Sequence, residues 1–408
     1  MTEKICTILW LMLATGWPAH SAPAAPQQYR IRVTAGPHGC YSAPVRVRLE
    51  VPGSPSPAGV RLSSKGRTVP AQLARTPGGI ELTWIVANLK PSESRDYTAR
   101  LENTGNHPPT PKMAVVQTGR DLEISAGGEL IARYDATHGP NKPYFFPLNA
   151  PGGRTIVRSW PVEQGSPASS HDHPHHRGLW FTHGDVNGVD YWSEGKGTGS
   201  TRCRGYEDLE SGPVYAHFRT GTDWVDPSGK KVAEDVRDVT VYDTPAGWLM
   251  DFNVTVHPSN GPLTFGDTKE GSFGLRVADT MRVTGGNGHI LTSAGVTDRM
   301  AWGTRADWVD YYGPVGGAEI GIAIMDHPQN LRHPTYWHVR DYGLFAANPF
   351  GIHEFVKGAA PHSGDFTLQP GSQLTLRYRV LLHKGGPEQA HVPDVWWDYA
   401  EPPTVSVR

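Results

Sequence analysis

Short runs of alternating residues, rich in Val, Ile, Thr, Tyr and Trp, recur along this chain and constrain its fold more than any other feature. Such alternation is typical of β-strands that face a core on one side, and Gly and Pro end strands at turns. The 47 Gly and 36 Pro residues lie between these runs and follow no collagen-like period. The sequence shows little helical periodicity, no internal repeat and no coiled coil. It therefore predicts an all-β protein.

Two blocks of strands differ in length and are joined by a polar segment. The first block, residues 27–105, contains the runs YRIRV, VRVRLEV, ELTWIV and YTARL and predicts a small antiparallel β-sandwich. The Pro-rich segment ENTGNHPPTPK, residues 102–112, is the predicted domain boundary. The second block, residues 112–390, has many more strands and predicts a large two-sheet sandwich. Residues 391–408 are predicted to form a C-terminal tail.

Residues 1–25 have the order of a signal peptide: a charged start, an apolar run from Ile5 to Gly16, and then small residues. The apolar run is too short to span a bilayer comfortably. We expect cleavage between about Ala19 and Gln27. The mature protein is then predicted to be periplasmic or extracellular, with no membrane span.

Charge and cysteine content exclude one class of partner and leave one question open. A net charge of −2 gives no electrostatic footprint for nucleic acid. Cys6 would leave with the signal peptide, so Cys40 and Cys203 remain. An oxidising compartment allows a disulfide between them, but their separation in space does not follow from the sequence. The oligomeric state is not indicated either.

The window SHDHPHHRGLWFTHGDVNGVDYW, residues 170–192, is denser in titratable groups than any other. Pro174 interrupts any central strand, so HDHPHH is predicted to be a loop leading into the strand GLWFTH. Histidine changes charge near neutral pH and is the commonest metal ligand, which predicts proton transfer, metal binding or both. A network that merely fixes a long loop is the alternative. The candidate catalytic histidines are His175, His176 and His183.

Two further segments carry matching chemistry. In FGDTKEG, Glu270 follows Lys269; alone the two would be a surface ion pair, but opposite a histidine cluster Glu270 supplies a catalytic carboxylate. The segment DHPQNLRHPTYWHVRDYGLFAANPFG interleaves aromatic rings with Arg, His and Asn, which suits a sugar, although a Trp/Tyr-rich core edge is the alternative. The candidate substrate-binding residues are Arg177, Lys269, His333, Trp337, His338, Arg340 and Asn348.

Four segments resemble a family of secreted bacterial proteins labelled "methane oxygenase PmoA": PYFFPLNAPGG, DHPHHRGLWFTHGDVNGVDYW, DTKEGSFGLRVADTM and HPTYWHVRDYGLFAANPFG. The resemblance covers roughly residues 112–385. A methane monooxygenase subunit is expected to lie in a membrane, whereas the only long apolar run here is the signal peptide. PYFFPL and the histidine-bearing loop are also similar to the N-terminal half of aldose 1-epimerases. This similarity implies a galactose-mutarotase-like supersandwich for the large domain.

The leading hypothesis is an exported carbohydrate-active enzyme that uses His/Glu acid–base chemistry at or near the anomeric centre. His175 or His176 would act as the acid and Glu270 as the base, with epimerase, lyase and hydrolase outcomes open. The partner would be a small-molecule or oligosaccharide substrate, and no cofactor is expected. A non-catalytic sugar-binding protein is one alternative. The other is a metal-dependent enzyme, such as the oxygenase of the family label, with a divalent transition metal bound by His171, His173, His175 and His183.

Overall fold

The computed structural model describes residues 27–51, 57–76, 79–102, 111–164 and 169–408. The predicted signal peptide and most of the predicted interdomain segment lie outside the described residues. The regular secondary structure of the described residues is almost entirely strand, with two short α-helices and two turns of 3-10 helix. The prediction of an all-β protein with a small and a large sandwich is confirmed.

The small sandwich is built from the first seven strands of the chain. They are β1 (Gln28–Thr34), β2 (Cys40–Leu49), β3 (Gly59–Ser64), β4 (Arg67–Val69), β5 (Ala71–Thr76), β6 (Gly79–Leu89) and β7 (Ser94–Glu102). One sheet has the order β1-β7-β3-β4 and the other β2-β6-β5. Alternate residues of β6, namely Leu82, Trp84 and Val86, are buried in the core of this domain, as the two-residue period of a strand requires.

The large sandwich contains the next nineteen strands. They are β8 (Met113–Thr118), β9 (Asp121–Ala126), β10 (Glu129–Asp135), β11 (Tyr144–Ala150), β12 (Arg154–Thr155), β13 (Leu179–His183), β14 (Ser200–Glu210), β15 (Tyr215–Val225), β16 (Lys231–Thr244), β17 (Gly247–Pro258), β18 (Leu263–Phe265), β19 (Gly271–Arg276), β20 (His289–Thr292), β21 (Trp308–Val315), β22 (Ala318–Asp326), β23 (Tyr336–Val339), β24 (Leu344–Asn348), β25 (Phe366–Leu368) and β26 (Leu374–Lys384). The helices are α1 (Ile352–Phe355) and α2 (Val392–Ala400), and the 3-10 turns are Asp279–Met281 and Asp298–Ala301. The last strand of the chain is β27 (Thr404–Val407).

Two large sheets face each other in this domain. The β13 sheet has the order β23-β24-β19-β13-β11-β10-β9-β8, and the β17 sheet has the order β14-β15-β16-β17-β26-β22-β21-β20. Their inner faces meet in aromatic contacts: the ring of Phe273 lies 4.8 Å from Phe252 and 4.7 Å from Tyr378. Since each aromatic side chain buries about 150–250 Å² of surface, these contacts supply much of the stabilisation of the sandwich.

The C-terminal segment returns to the small sandwich. Residues 391–408 were predicted to be a tail, and the structure places α2 and β27 there. Strand β27 pairs antiparallel with β1, with Val407 opposite Ile31, and so extends the first sheet. Asp398 of α2 accepts hydrogen bonds from the backbone N–H groups of Tyr41 and Ser42. The two ends of the chain therefore build one domain together.

The described residues also bear on the predictions about the cysteines and about a membrane span. Cys40 and Cys203 are both buried free thiols, so they do not pair with each other. No helix among the described residues combines the length and the apolar character needed to cross a bilayer.

Candidate active site

The floor of the candidate site is a row of paired residues on the β13 sheet. Trp180 is opposite Gly274, Gly274 is opposite Ala346, and Ala346 is opposite His338. Directly paired residues point to the same face of a sheet, so this row carries an aromatic ring at one end and an imidazole at the other. A side chain at Gly274 would collide with Trp192, which packs over it. Strand register thus joins three segments that are far apart in sequence.

Asp172 fixes the histidine loop to two buried arginines. Arg276 Nη2 donates to both carboxylate oxygens, at 2.8 and 3.0 Å, and Arg158 Nη1 donates to Oδ1 at 2.8 Å. Burial alone would raise the pKa of Asp172, but the charges and hydrogen bonds of Arg276 and Arg158 hold that pKa well below its usual value. Asp172 is therefore a permanent anion at neutral pH.

His173 and Asp172 form an oriented pair. His173 Nδ1 lies 2.7 Å from Asp172 Oδ2, and because an ionised carboxylate only accepts, Nδ1 carries the proton. The other ring nitrogen, Nε2, is then the basic atom. The ring is 43% exposed and lies between the parallel rings of His176, at 4.8 Å, and Tyr342, at 5.4 Å. A carboxylate, an imidazole and an accessible basic nitrogen are the components of a general base.

The backbone of His173 is held in an unusual conformation. Its φ of 49° lies in the left-handed region, which non-Gly residues enter at an energetic cost. The loop compensates with hydrogen bonds to the carbonyl of His173 from Arg158 Nη2, at 2.9 Å, and from the N–H of His176, at 3.0 Å. These hydrogen bonds thus fix the loop at the residue that carries the basic nitrogen.

His175 and His176 are neutral neighbours of this pair. Burial lowers the pKa of His175 to about 4, and the positive charge of Lys142 adds to the effect. Burial also puts the pKa of His176 well below its usual value, and its Nε2 is buried with no hydrogen-bond partner among the described residues. Neither imidazole holds a second proton at neutral pH. The sequence-based role of proton donor therefore has no support from their surroundings.

Glu270 and His338 lie within electrostatic reach of His173. Burial raises the pKa of Glu270, and the charge of Lys269, together with that of His173 once its ring is protonated, opposes that rise. Burial lowers the pKa of His338 to about 3, with a further contribution from His173 among others. Lys269 Nζ lies 3.9 Å from Glu270 Oε1 and 3.7 Å from Glu354 Oε2. The structure therefore brings the predicted Glu270 and the histidine loop to one place.

The backbone around Glu270 is positioned by two buried polar side chains. His338 Nδ1 donates to the carbonyl of Lys269 at 2.8 Å. Asn348 Nδ2 donates to the carbonyls of Thr268 and Lys269, at 2.9 and 3.0 Å, and Asn348 Oδ1 accepts from the N–H of Phe350. Asn348 has no exposed surface, so it shapes the loop and does not reach a substrate.

The guanidinium of Arg340 lies against two aromatic rings. Its guanidinium lies 5.4 Å from the ring of Trp302 and 5.6 Å from that of Tyr342. Phe355 lies 5.7 Å from Trp302 and stacks on Tyr336 at 5.6 Å. These four rings are all partly exposed. Together they form an aromatic wall beside His338 and Arg340.

Arg177 belongs to a compensated cluster. Its Nε and Nη2 pair with the two carboxylate oxygens of Glu194, at 2.8 and 3.1 Å. Lys142, fully buried, lies 3.3 Å from the same carboxylate, and burial lowers the pKa of Lys142 to about 8. Since Glu194 already pairs with the guanidinium of Arg177, Arg177 helps to fix the loop and is not free to bind a substrate.

His183 lies in the core and not at the loop surface. Its Nε2 donates to the carbonyl of Gly266 at 2.8 Å, and its Nδ1 accepts from Ser272 Oγ at 3.2 Å. Its ring packs against Phe265 and Phe350. Burial lowers its pKa to about 4. Both nitrogens are satisfied within the protein, so this histidine serves packing.

His333 and Trp337 are positioned by a different set of partners. His333 Nδ1 lies 2.7 Å from Asp326 Oδ2 and its Nε2 lies 3.3 Å from Asp307 Oδ1. Trp337 is fully buried and donates its indole N–H to the carbonyl of Ala306 at 2.9 Å. Both side chains have their polar atoms committed to internal partners. The structure does not bring them to the His173 pair.

The four histidines considered as metal ligands do not share one coordination sphere. His183 is committed to Gly266 and Ser272, and His171 stacks on Trp160 at 5.0 Å. Within the described ranges, one group of three side chains has ligand atoms close enough to hold a metal ion. That group is Asp121, Asp135 and His138, on the strands and loop that precede β11.

Sequence reasoning missed several residues that build the site. It treated His173 only as a metal ligand, and it gave no role to Asp172, Arg158 or Arg276. It considered Tyr342 only as part of the aromatic segment that suits a sugar. The order His-Asp-His at the start of the window was a local signal for the Asp172–His173 pair. Nothing local could have indicated Arg276, because it lies 104 residues from Asp172 and meets it only through strand pairing.

The class of protein follows from these observations: a two-sheet β-sandwich that carries an arginine-bound Asp–His pair and a nearby glutamate on one sheet. The chain belongs to the family described as "Family of unknown function (DUF6807)", whose sequence pattern matches residues 121–397. No curated protein matches the sequence significantly. The resemblances to the family labelled PmoA and to aldose 1-epimerases stay predictions.

Two solved structures are similar to this chain. One is a protein of glycosyl hydrolase family 38 from Enterococcus faecalis, with 11% identity, a TM-score of 0.43, and coverage of 93% of this chain and 47% of that chain. The other is an alpha-mannosidase from Enterococcus faecalis V583, with 12% identity, a TM-score of 0.43, and coverage of 93% and 46%. This chain thus spans about half the length of each.

Proposed function

We propose that this protein is a carbohydrate-active enzyme in which His173, oriented by Asp172, and Glu270 exchange protons with the substrate. The observation that carries the proposal is the 2.7 Å hydrogen bond from His173 Nδ1 to Asp172, which leaves Nε2 as the basic atom. The aromatic wall of Trp302, Tyr336, Tyr342 and Phe355 supports a sugar as the substrate, because partly exposed rings stack on the apolar faces of sugars.

The two proton carriers have complementary surroundings. His173 Nε2 accepts a proton from the substrate, and the ionised carboxylate of Asp172 stabilises the imidazolium that forms. Glu270 has a raised pKa because it is partly buried, so it is protonated more readily than an ordinary glutamate and donates the second proton. This assignment moves the histidine role from His175 and His176 to His173. It also exchanges the two roles of the sequence-based hypothesis, since the histidine is now the base and Glu270 the acid. Epimerisation, elimination and hydrolysis all use such a pair.

Two glutamine variants test the proposal. We expect His173→Gln and Glu270→Gln each to lower kcat by roughly 10²- to 10⁴-fold, because each loses one proton carrier while keeping a similar shape. Turnover is measured against a panel of neutral and acidic oligosaccharides, and binding by calorimetry should persist. The control is His217→Gln, since His217 lies on β15 in the other sheet and contacts the carbonyl of Asp208.

Three outcomes would contradict the proposal. Unchanged kcat in His173→Gln would remove the histidine from the mechanism. A stoichiometric transition metal in untagged protein, lost together with turnover on chelation, would favour the metal-dependent enzyme. Sugar binding with no turnover of any panel member by the parent protein would favour a binding protein.

A further inference from the structure

We infer that the substrate is an acidic sugar and that Arg340 binds its carboxylate, an inference that rests on the proposed function. The guanidinium of Arg340 is held between Trp302 and Tyr342. Among the described residues, its side chain makes no hydrogen bond and no ion pair. Every other arginine of the site, by contrast, already has a carboxylate partner: Arg158 and Arg276 share Asp172, and Arg177 pairs with Glu194.

The balance of charge in the site points the same way. Arg177 and Lys142 surround Glu194 below the loop, and the remaining charged groups line the site itself. Four cations lie there, Arg158, Arg276, Lys269 and Arg340. The acids are Asp172, Glu354 and Glu270, of which Glu270 is protonated in the proposed mechanism, and the neighbouring histidines with strongly lowered pKa values are neutral. Asp172 pairs with two of these cations, and both Glu270 and Glu354 lie near Lys269. Arg340 has no carboxylate within ion-pair distance among the described residues, and its neighbour Asp341, on which its charge acts, already pairs with Arg299 and Thr284.

The chemistry of a guanidinium selects a carboxylate as its partner. Its planar fork matches the two oxygens of a carboxylate, and such charge-assisted pairs are about twice as strong as neutral hydrogen bonds. One guanidinium without an ion-pair partner corresponds to one carboxylate on the ligand. The rings of Trp302 and Tyr342 also limit the water around Arg340, which strengthens a charged contact. A uronic acid satisfies both features, because it offers one carboxylate on a ring that can stack.

The position of Arg340 relates the carboxylate to the reacting groups. The charge of Arg340 acts on His338, which also interacts with His173, and Tyr342 contacts both Arg340 and His173. A carboxylate on Arg340 would therefore lie beside the Asp172–His173 pair. Arg340 would bind the substrate and orient it, while the proton transfers stay with His173 and Glu270.

Paired ligands test the inference directly. We propose to titrate the protein with oligogalacturonides and glucuronate-bearing xylo-oligosaccharides, each beside its neutral amide, which has nearly the same shape without the charge. We expect the parent to prefer the acid, and Arg340→Gln to lose roughly tenfold to a hundredfold in affinity for the acid with little change for the amide. Arg340→Lys keeps the charge but not the fork, and should fall between the two.

A surface arginine supplies the control. Arg61 is 69% exposed and pairs with Glu102 in the small sandwich, so Arg61→Gln changes the net charge equally without touching the aromatic wall. Thermal unfolding of each variant verifies that it is folded. Equal affinity for acid and amide in the parent, or turnover of neutral sugars alone, would overturn the inference and leave the proposed function standing. Failure to bind any sugar, neutral or acidic, would overturn both.

Discussion

At the scale of single residues, Asp172 decides what the histidine loop can do. Its carboxylate is the counter-charge of two almost completely buried guanidiniums and the acceptor of the His173 proton. Buried donors that lose their acceptor incur a desolvation penalty of about 1–3 kcal/mol. Asp172 itself is 40% exposed, and solvent screens part of its interaction, so the lower part of that range applies.

We predict that Asp172→Asn lowers both stability and turnover. The free energy of unfolding should fall by about 1–2 kcal/mol, and kcat should fall because the neutral amide neither stabilises the imidazolium nor fixes the tautomer of His173. Urea denaturation and steady-state kinetics measure the two effects. Asp208→Asn is the matched control, since Asp208 is an exposed residue of β14. Equal loss in both variants would contradict a special role for Asp172.

The depressed pKa of Asp172 also predicts a pH dependence. An acid whose pKa is lowered by folding contributes stability above its unfolded pKa of about 3.9, and the contribution is lost as the pH falls further. The parent should therefore lose stability in acid more steeply than Asp172→Asn. Denaturation series between pH 6 and pH 3, about the range of that pKa, measure the difference. Parallel curves would contradict the prediction.

His333 predicts a pH dependence of opposite sign. Burial alone would lower its pKa, but hydrogen bonds and charges from Asp307 and Asp326 outweigh burial and raise it to about 9. A base with a raised pKa contributes stability below its unfolded pKa of about 6.5, and the contribution disappears as the pH rises through about 9. His333→Gln should therefore be less stable than the parent at pH 6, and the difference should shrink by pH 10, about one unit above the folded pKa.

The matched control for His333 is an exposed histidine. His289 is 58% exposed and lies 3.9 Å from Asp298, a separation at which a surface ion pair contributes little. His289→Gln should match the parent at both pH values in urea denaturation. A constant difference between parent and His333→Gln across the range would show that His333 acts through packing alone.

The five histidines of one window were enough to predict a site, but not the role of each histidine. Density in the sequence indicated a site, and the structure does place the Asp172–His173 pair there. Spacing did not reveal which histidine has which environment: His176 is buried, His183 lies in the core and His173 is accessible. Those differences come from strand register and from arginines remote in sequence, which local patterns do not contain.

At the scale of elements, the alternation of apolar and polar residues predicted where strands form but not which strands pair with each other. Runs such as ELTWIV and VRVRLEV became β6 and β2, because a two-residue period of apolar side chains fits one face of a sheet. The segment TVSV near the C-terminus was predicted to be tail, since a four-residue strand carries little signal. It became β27 because it pairs with the edge strand β1. Such tertiary pairing is not contained in the β-propensity of a short segment.

Strand β27 allows a prediction about that edge. Deleting residues 402–408 removes the antiparallel partner of β1 and exposes its backbone N–H and C=O groups. We expect a lower thermal midpoint and more self-association, which calorimetry and light scattering measure. Replacing Val405 and Val407 by Thr keeps the strand and serves as the control. A truncated protein with an unchanged midpoint and no association would contradict the prediction.

At the scale of the whole molecule, an apolar cluster joins the two sandwiches. Trp396 and Val395 of α2 pack with Leu249 and Leu381 of the β17 sheet, and Tyr41 and Ile85 of the small sandwich lie against the same cluster. Polar contacts cross the junction as well: Arg46 donates to the hydroxyl of Tyr242 at 2.7 Å. A junction that is apolar and hydrogen-bonded makes the small sandwich a structural part of the large one.

This junction predicts that the described domains unfold together. The parent should show one calorimetric transition whose enthalpy equals the van't Hoff value, which is the criterion for a cooperative unit. Trp396→Ala removes the buried tryptophan that α2 contributes to the cluster, at a cost of about 3–5 kcal/mol, and should split the transition in two. Trp84→Ala removes the same side chain from the small core and should lower one common transition without splitting it, because it leaves the junction intact. A single transition in Trp396→Ala would show that the coupling does not depend on Trp396. Two transitions in the parent would show that the sandwiches fold independently, and the small domain would then need a function of its own.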